Sequence, residues 1–164
     1  LLVFFVGWRV DAQPYSDSIS INFFLLADCR ISQNITGEIN YVLDHYQRDN
    51  FHAKCYFPGK RTNAAEAEDF LVTYQLSLPY QVDYHHRKTR FYGATVAPQV
   101  VVYDEKQQRV LYSGRIDNSY AAVGSRRRIV SSRDLREALN AILSQQPIST
   151  PQTEAIGCYL NVNP

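Results

Sequence analysis

The sequence predicts an α/β fold in which a central mixed sheet carries helices on both faces. Three observations predict it. An apolar strand-like run passes directly into a helical pattern, a second strand–helix unit follows, and a strong hairpin signal precedes a closing amphipathic helix. With 164 residues, 45% of them hydrophobic, the chain is long enough for one domain with its own core.

Residues 18–27 are rich in Ile, Phe and Leu between polar flanks, which reads as a buried strand. Ile35, Ile39, Val42, Leu43 and Tyr46 then recur at helical spacing, predicting an amphipathic helix over residues 30–48. A second strand over residues 51–57 ends at Pro58 and Gly59. Asn63 followed three residues on by Glu66 is a capping pair, and Ala67, Phe70, Leu71 and Tyr74 form the buried stripe of the helix it starts.

Residues 78–95 are polar and aromatic, with a short helix predicted near residues 87–92 and ended by Gly93. Pro98 opens the strongest β pattern. Residues 100–103 and 109–113 flank a connection of hairpin length and are predicted to pair antiparallel. A loop is expected over residues 117–130. Ser131 with Asp134 reads as another capping pair, and Leu135, Ala138, Leu139, Ile142 and Leu143 mark the last helix, which Pro147 stops. Residues 148–164 form a Pro-, Thr- and Gln-rich tail that carries Cys158.

A formal net charge of +1 gives no general attraction to nucleic acid or to a membrane surface, so neither is expected as a partner. The apolar run Leu1–Val6 is far shorter than the roughly 20 residues a spanning helix needs, and no integral membrane segment is expected. Because the chain begins without Met, that run reads as the tail of a signal-peptide hydrophobic region, with Val10, Asp11 and Ala12 offering a cleavage site. An N-terminal edge strand is the other reading. Export, to a periplasm or beyond the cell, is the expectation carried forward.

Cys29, Cys55 and Cys158 are too few for a disulfide scaffold and too widely spaced for a structural zinc site. Cys29 stands where the first strand gives way to the first helix. The unpaired N–H groups and positive dipole end of a helix start favour thiolate over thiol, so this position makes a cysteine reactive. The bland alternative is a small buried apolar residue. Cys55 lies on the second strand, where a core role is expected.

Several motifs in order resemble a known family. They are Asp28-Cys29-Arg30-Ile31-Ser32-Gln33, Phe57-Pro58-Gly59 and Val96-Ala97-Pro98-Gln99-Val100. Residues 112–118, residues 124–127 and Glu154-Ala155-Ile156-Gly157-Cys158-Tyr159 continue the match. From Ile19 to Leu160 the chain resembles thioredoxin-fold proteins, and within them the bacterial redoxins grouped with the alkyl hydroperoxide reductase and thiol-specific antioxidant superfamily. The resemblance implies a thioredoxin-like domain over residues 18–147 followed by a tail over 148–164, which leaves residues 1–17 as the signal-peptide remnant or N-terminal arm read above. It also implies a cis peptide bond before Pro98, with that proline lying against Cys29.

Departures from the family pattern shape the expected chemistry. Ser32 occupies the second cysteine position of the Cys-x-x-Cys motif, so no disulfide forms within the motif, though its hydroxyl can donate to the Cys29 thiolate. Asn22 and Leu26 replace the proline and threonine with which peroxiredoxins bind peroxide. Gly37 stands where thioredoxins kink the helix with proline. Cys158 has two readings: a resolving cysteine that folds back to Cys29, or a residue that only packs the C-terminus.

The expected activity is thiol–disulfide exchange through Cys29, with Ser32, Pro98 and Cys158 as the other site residues and no cofactor. A redox partner protein, a small thiol or disulfide, or a peroxide would react with it. The alternatives are a non-catalytic binding or copper-metallochaperone module on the same fold, and a weak thiol peroxidase. His85 and His86 are candidate copper ligands beside the cysteines, and Arg126, Arg127 and Arg128 a candidate anion or partner surface; for both, a solvated loop is the plainer reading.

Overall fold

The apolar run that begins near Ser18 forms the centre of a five-stranded sheet. The computed structural model describes residues 14–46 and 50–162, so the Leu1–Val6 run and its cleavage-site reading lie outside the described residues. Along the chain the elements are β1 (Ile19–Phe24), α1 (Arg30–Asn34), α2 (Thr36–Tyr46), β2 (Phe51–Pro58), α3 (Ala64–Thr73), β3 (Tyr80–Asp83) and α4 (Arg87–Tyr92). There follow β4 (Val96–Ala97), β5 (Gln99–Asp104), β6 (Arg109–Gly114), β7 (Tyr120–Ala122), β8 (Ser125–Arg126), α5 (Asp134–Leu143) and β9 (Cys158–Tyr159).

The sheet order is β3-β2-β1-β5-β6. β1 pairs parallel with β2 and antiparallel with β5, so the sheet is mixed as the sequence predicts. All six residues of β1 are buried because both faces of this strand are covered. Ile19, Ile21 and Phe23 pack with Ile39 and Val42 of α2, Phe70 of α3 and Leu135 and Leu139 of α5. Phe24 belongs to a second cluster with Tyr56 of β2 and Tyr92 of α4. Three polar contacts bind α2 to α5 and its N-cap. Glu38 accepts from Arg133 at 2.8 Å and from Arg136, and the Tyr46 hydroxyl donates to Asn140 at 2.9 Å.

Four local expectations need correction. The first helix is not continuous: α1 ends at a C-cap on Ile35 and α2 starts at Thr36, whose hydroxyl donates to the Gln33 carbonyl. Residues 80–83 form a sheet strand that the mixed pattern of Tyr80, Gln81 and Val82 hides, since all three are half-buried. The expected loop over residues 117–130 holds the small hairpin β7–β8. Ser131 and Asp134 do not cap α5. Arg133 is the N-cap, Asn118 hydrogen-bonds Ser131, and Asp134 forms a two-pronged ion pair with Arg115 at 2.9 and 3.0 Å. The stripe of α5 is buried except at Leu143, which is 38% exposed. By contrast Asn63 and Glu66 form the reciprocal capping box the sequence predicts.

Two buried aspartates tie loops to the sheet. Asp83 accepts from the Arg87 and Thr89 N–H groups and from the Thr89 hydroxyl at 2.8 to 2.9 Å, which holds the start of α4. Asp104 accepts from the N–H groups of Ser16, Lys106 and Gln107. Burial alone pushes both carboxyls up, but these donors outweigh it and leave both below the usual carboxylate range. A carboxyl depressed in the folded state stabilises the fold above its unfolded pKa and stops doing so as pH falls through the folded value. The contribution is therefore complete above about pH 5 and is lost progressively below about pH 4, as pH falls toward the depressed folded values. Urea unfolding from pH 7 to pH 3 should show a steep acid loss that is shallower in Asp83→Asn and Asp104→Asn.

Candidate active site

The turn between β1 and α1 is fixed before its cysteine is reached. The Ala27 N–H donates to the buried Thr62 hydroxyl at 3.1 Å, and the Gln33 side-chain amide donates to the Ala27 carbonyl at 2.8 Å. Ser32 is fully buried, and its Oγ accepts from the Leu26 N–H at 3.2 Å. Its hydroxyl therefore holds the turn, a role the sequence does not reveal. Removing it in Ser32→Ala leaves the buried Leu26 N–H unpaired. The expected loss is about 1–3 kcal/mol in denaturant unfolding.

Cys29 is the N-cap of α1, with extended φ and ψ, and is 1% exposed. Its Sγ lies 3.3 Å from the Ala97 carbonyl oxygen, and the Ala97–Pro98 peptide bond is cis. Gln99 pins this corner, since its Oε1 accepts from the Thr95 N–H at 3.0 Å and its amide donates to Ser113. Cys29 and Pro98 thus come together from elements far apart in sequence.

The tail completes the site. Its first anchor lies on β6, where the Ser113 N–H donates to the Pro151 carbonyl and the Thr153 N–H donates back to Ser113, both at 3.0 Å. Thr153 Oγ1 accepts from the Arg115 N–H at 3.1 Å and meets the Tyr112 hydroxyl at 2.6 Å, while Tyr112 donates to the Arg115 carbonyl at 2.6 Å. Each hydroxyl is therefore satisfied as donor and acceptor. A side chain at Gly114, whose φ is +150°, would overlap Thr153. The second anchor is β9, which pairs antiparallel with β4 so that Cys158 faces Ala97 and Tyr159 faces Val96. Leu160 is buried and donates its N–H to Thr95 at 3.0 Å. A Cβ on Gly157 would overlap the Ala97 carbonyl, so only glycine fits there.

This pairing carries Cys158 to Cys29. The two are joined as a disulfide across 129 residues of sequence, with Cα atoms 6.4 Å apart, inside the usual range for such a bond. In the disulfide Cys29 Sγ has no proton, so its approach to Ala97 is a contact rather than a hydrogen bond. Cys55 is a fully buried free thiol whose pKa burial pushes up, which keeps it protonated and inert. Sequence reasoning assigned no role to Gly157, Leu160, Thr153 or Gln99. The signal for Gly157 was its place directly before Cys158.

His85 is exposed and His86 half-buried at the start of α4, and among the described residues no group of three His, Cys, Asp or Glu side chains is arranged to hold a metal ion. Arg126, Arg127 and Arg128 are all exposed. Pro98, Ile31 and Ile156 line a small cavity, and two larger clefts lie in the surface; none of the three is lined by a cysteine. One of about 370 Å³ includes Asp28, Arg61, Glu66 and Asp69, and one of about 490 Å³ includes Thr95, Gln99, Glu154 and Tyr159. No helix among the described residues is long and apolar enough to cross a membrane.

No protein-family model matches the chain, and no curated protein matches it. Solved structures do. A hypothetical protein from Sinorhizobium meliloti is similar with a TM-score of 0.76 at 20% identity over 90% of this chain and 81% of that one. An uncharacterized conserved protein from Geobacillus kaustophilus gives a TM-score of 0.76 at 19% identity over 91% and 79%. A secreted Mycobacterium tuberculosis disulfide oxidoreductase homologous to E. coli DsbE gives 0.56 at 12% identity over 77% and 83%. At these identities the likeness concerns the fold. The fold is thioredoxin-like, a mixed central sheet with helices on both faces.

Proposed function

We propose that this chain is a thiol–disulfide oxidoreductase in which Cys29 and Cys158 form the redox pair. The observation that carries the reading is the disulfide itself. A thioredoxin-like frame brings together two cysteines 129 residues apart, one at the start of the helix after β1 and one on a strand paired beside Pro98. In the reduced chain Cys29 is the nucleophile toward a substrate disulfide, Pro98 shapes the approach, and Cys158 resolves the mixed disulfide. Residues 18–147 then act as the catalytic unit and 148–164 as the resolving tail.

Within this class we set the chain, on the shared motifs at Cys29, Pro98 and Cys158, beside the redoxins of the alkyl hydroperoxide reductase and thiol-specific antioxidant group. Disulfide exchange is favoured over peroxide reduction because of what surrounds Cys29. Leu26 is apolar and buried, and the Asn22 amide already donates to Ser20 and to the Val101 carbonyl. Neither offers a hydroxyl to a peroxide. A lasting disulfide favours an oxidising compartment, so export is part of the same reading. A redox partner protein would restore the pair after each turnover.

The test is dithiothreitol-driven reduction of a disulfide-bonded polypeptide, with hydrogen peroxide consumption run in parallel. Polypeptide reduction is expected at least about tenfold above dithiothreitol alone, with little gain for peroxide. Rates equal to the uncatalysed controls, with a chain that holds Cu(I) tightly, would replace this reading with the metallochaperone one.

A further inference from the structure

We propose that an external thiolate opens the Cys29–Cys158 disulfide by attacking Cys158, so that Cys29 is the sulfur that departs. This rests on the reading of the two cysteines as a redox pair. An attacking thiolate approaches along the line of the S–S bond, from behind the sulfur it strikes, and access largely decides which sulfur that is.

Access differs sharply between the two. Cys29 is 1% exposed and packs in one cluster with Phe24, Leu26, Ile31 and Tyr56. The Ala97 carbonyl oxygen stands 3.3 Å from its Sγ, and the lone pairs of that oxygen repel an incoming thiolate. A donor attacking Cys29 while the disulfide is closed would have to enter between these packed side chains. Cys158 is only half-buried, and Tyr159 beside it is 77% exposed. β9 pairs with β4 on one side and with no other strand among the described residues.

The electron accounting follows from that geometry. The donor thiolate bonds to Cys158 Sγ as the bond between the two Sγ atoms breaks, and the electron pair leaves on Cys29 as a thiolate. A second thiol of the donor attacks the donor's own sulfur in the mixed disulfide. Cys158 departs as a thiolate, protons come from water, and the donor ends as a disulfide. Both electrons come from the donor's thiols. The recharging reaction thus enters through the tail, and Cys29 meets substrate only after its bond to Cys158, whose tail segment packs against the Cys29 cluster, is broken. The roles of the two cysteines are divided between the two halves of the cycle.

Glutathione is a suitable probe. The oxidised full chain is mixed with glutathione for times short against complete reduction, quenched with acid, blocked with N-ethylmaleimide and mapped by peptide mass spectrometry. Glutathione on Cys158 with maleimide on Cys29 is expected to exceed the reverse pattern by at least about tenfold. Extrapolating that ratio to zero time removes later migration between the sulfurs. Equal labelling, or glutathione mainly on Cys29, would overturn the inference and leave the redox pair intact. A chain with no Cys29–Cys158 disulfide before glutathione is added would overturn both.

Discussion

Replacing Cys29 with serine is expected to abolish disulfide exchange and to cost the folded state about 3–5 kcal/mol at once, the latter from loop-closure entropy. The two effects share one cause. Cys29 is the only cysteine at the β1–α1 turn, and Cys55, buried with its pKa pushed up, has no means of taking over as nucleophile. The same sulfur also closes a loop spanning 129 residues, and cross-linking so long a loop removes much of the freedom of the unfolded chain. For a chain of this size the loss corresponds to a fall in Tm on the order of 10 °C. Cys158→Ser should show the same fall in Tm but a different kinetic defect, because Cys29 remains free to attack and the reaction stalls as a mixed disulfide. Scanning calorimetry together with non-reducing gels separates the two variants. A Cys29→Ser chain that still turns over substrate would remove Cys29 from the mechanism.

The substitution Gly157→Val should undo the site without touching a reactive atom. The atoms a Cβ would overlap are the Ala97 carbonyl oxygen and carbon, with Pro98 N close behind, all of them backbone in a corner held by Gln99. None of them can turn aside as a flexible side chain would. Residues 157–160 must therefore lift from β4, which withdraws Cys158 from Cys29 and exposes Leu160. Purified in air, this variant is expected to leave both Cys29 and Cys158 open to alkylation and to lose most of the stability the disulfide confers. Tyr159→Ala is the matching control, since that side chain is 77% exposed and its truncation should leave the disulfide in place. A Gly157→Val chain that still forms the bond would show that the tail has another way to dock.

Much of this frame was legible in the sequence because it is set locally. The burial of β1, the capping box of α3, the short helix closed by Gly93 and the β5–β6 hairpin each depend on residues within a turn or two of one another. The α5 cap was misread because its residues are claimed from a distance: Asn118 takes Ser131, and Arg115 takes Asp134. β3 escaped notice because a half-buried edge strand shows neither a continuous apolar run nor clean alternation.

The site was legible residue by residue and illegible as an arrangement. Cys29, Ser32, Pro98 and Cys158 could each be singled out, but the docking of the tail depends on Thr153 beneath Tyr112 and on a glycine narrow enough to pass the Ala97 carbonyl. Those are long-range backbone approaches with no periodic trace. Ser32 illustrates the difference best. From sequence it reads as a donor to the thiolate, and the fold adds a role the sequence does not show, its oxygen accepting from the Leu26 N–H.

Equilibrating the full chain with graded ratios of reduced to oxidised dithiothreitol, then alkylating and weighing the peptides, puts the redox pair to the sharpest test. Cys29 and Cys158 are expected to convert together between dithiol and disulfide in a single transition, with Cys55 a thiol throughout. Cysteines 29 and 158 that stay unlinked at every ratio, or a bond from Cys29 to Cys55, would contradict it.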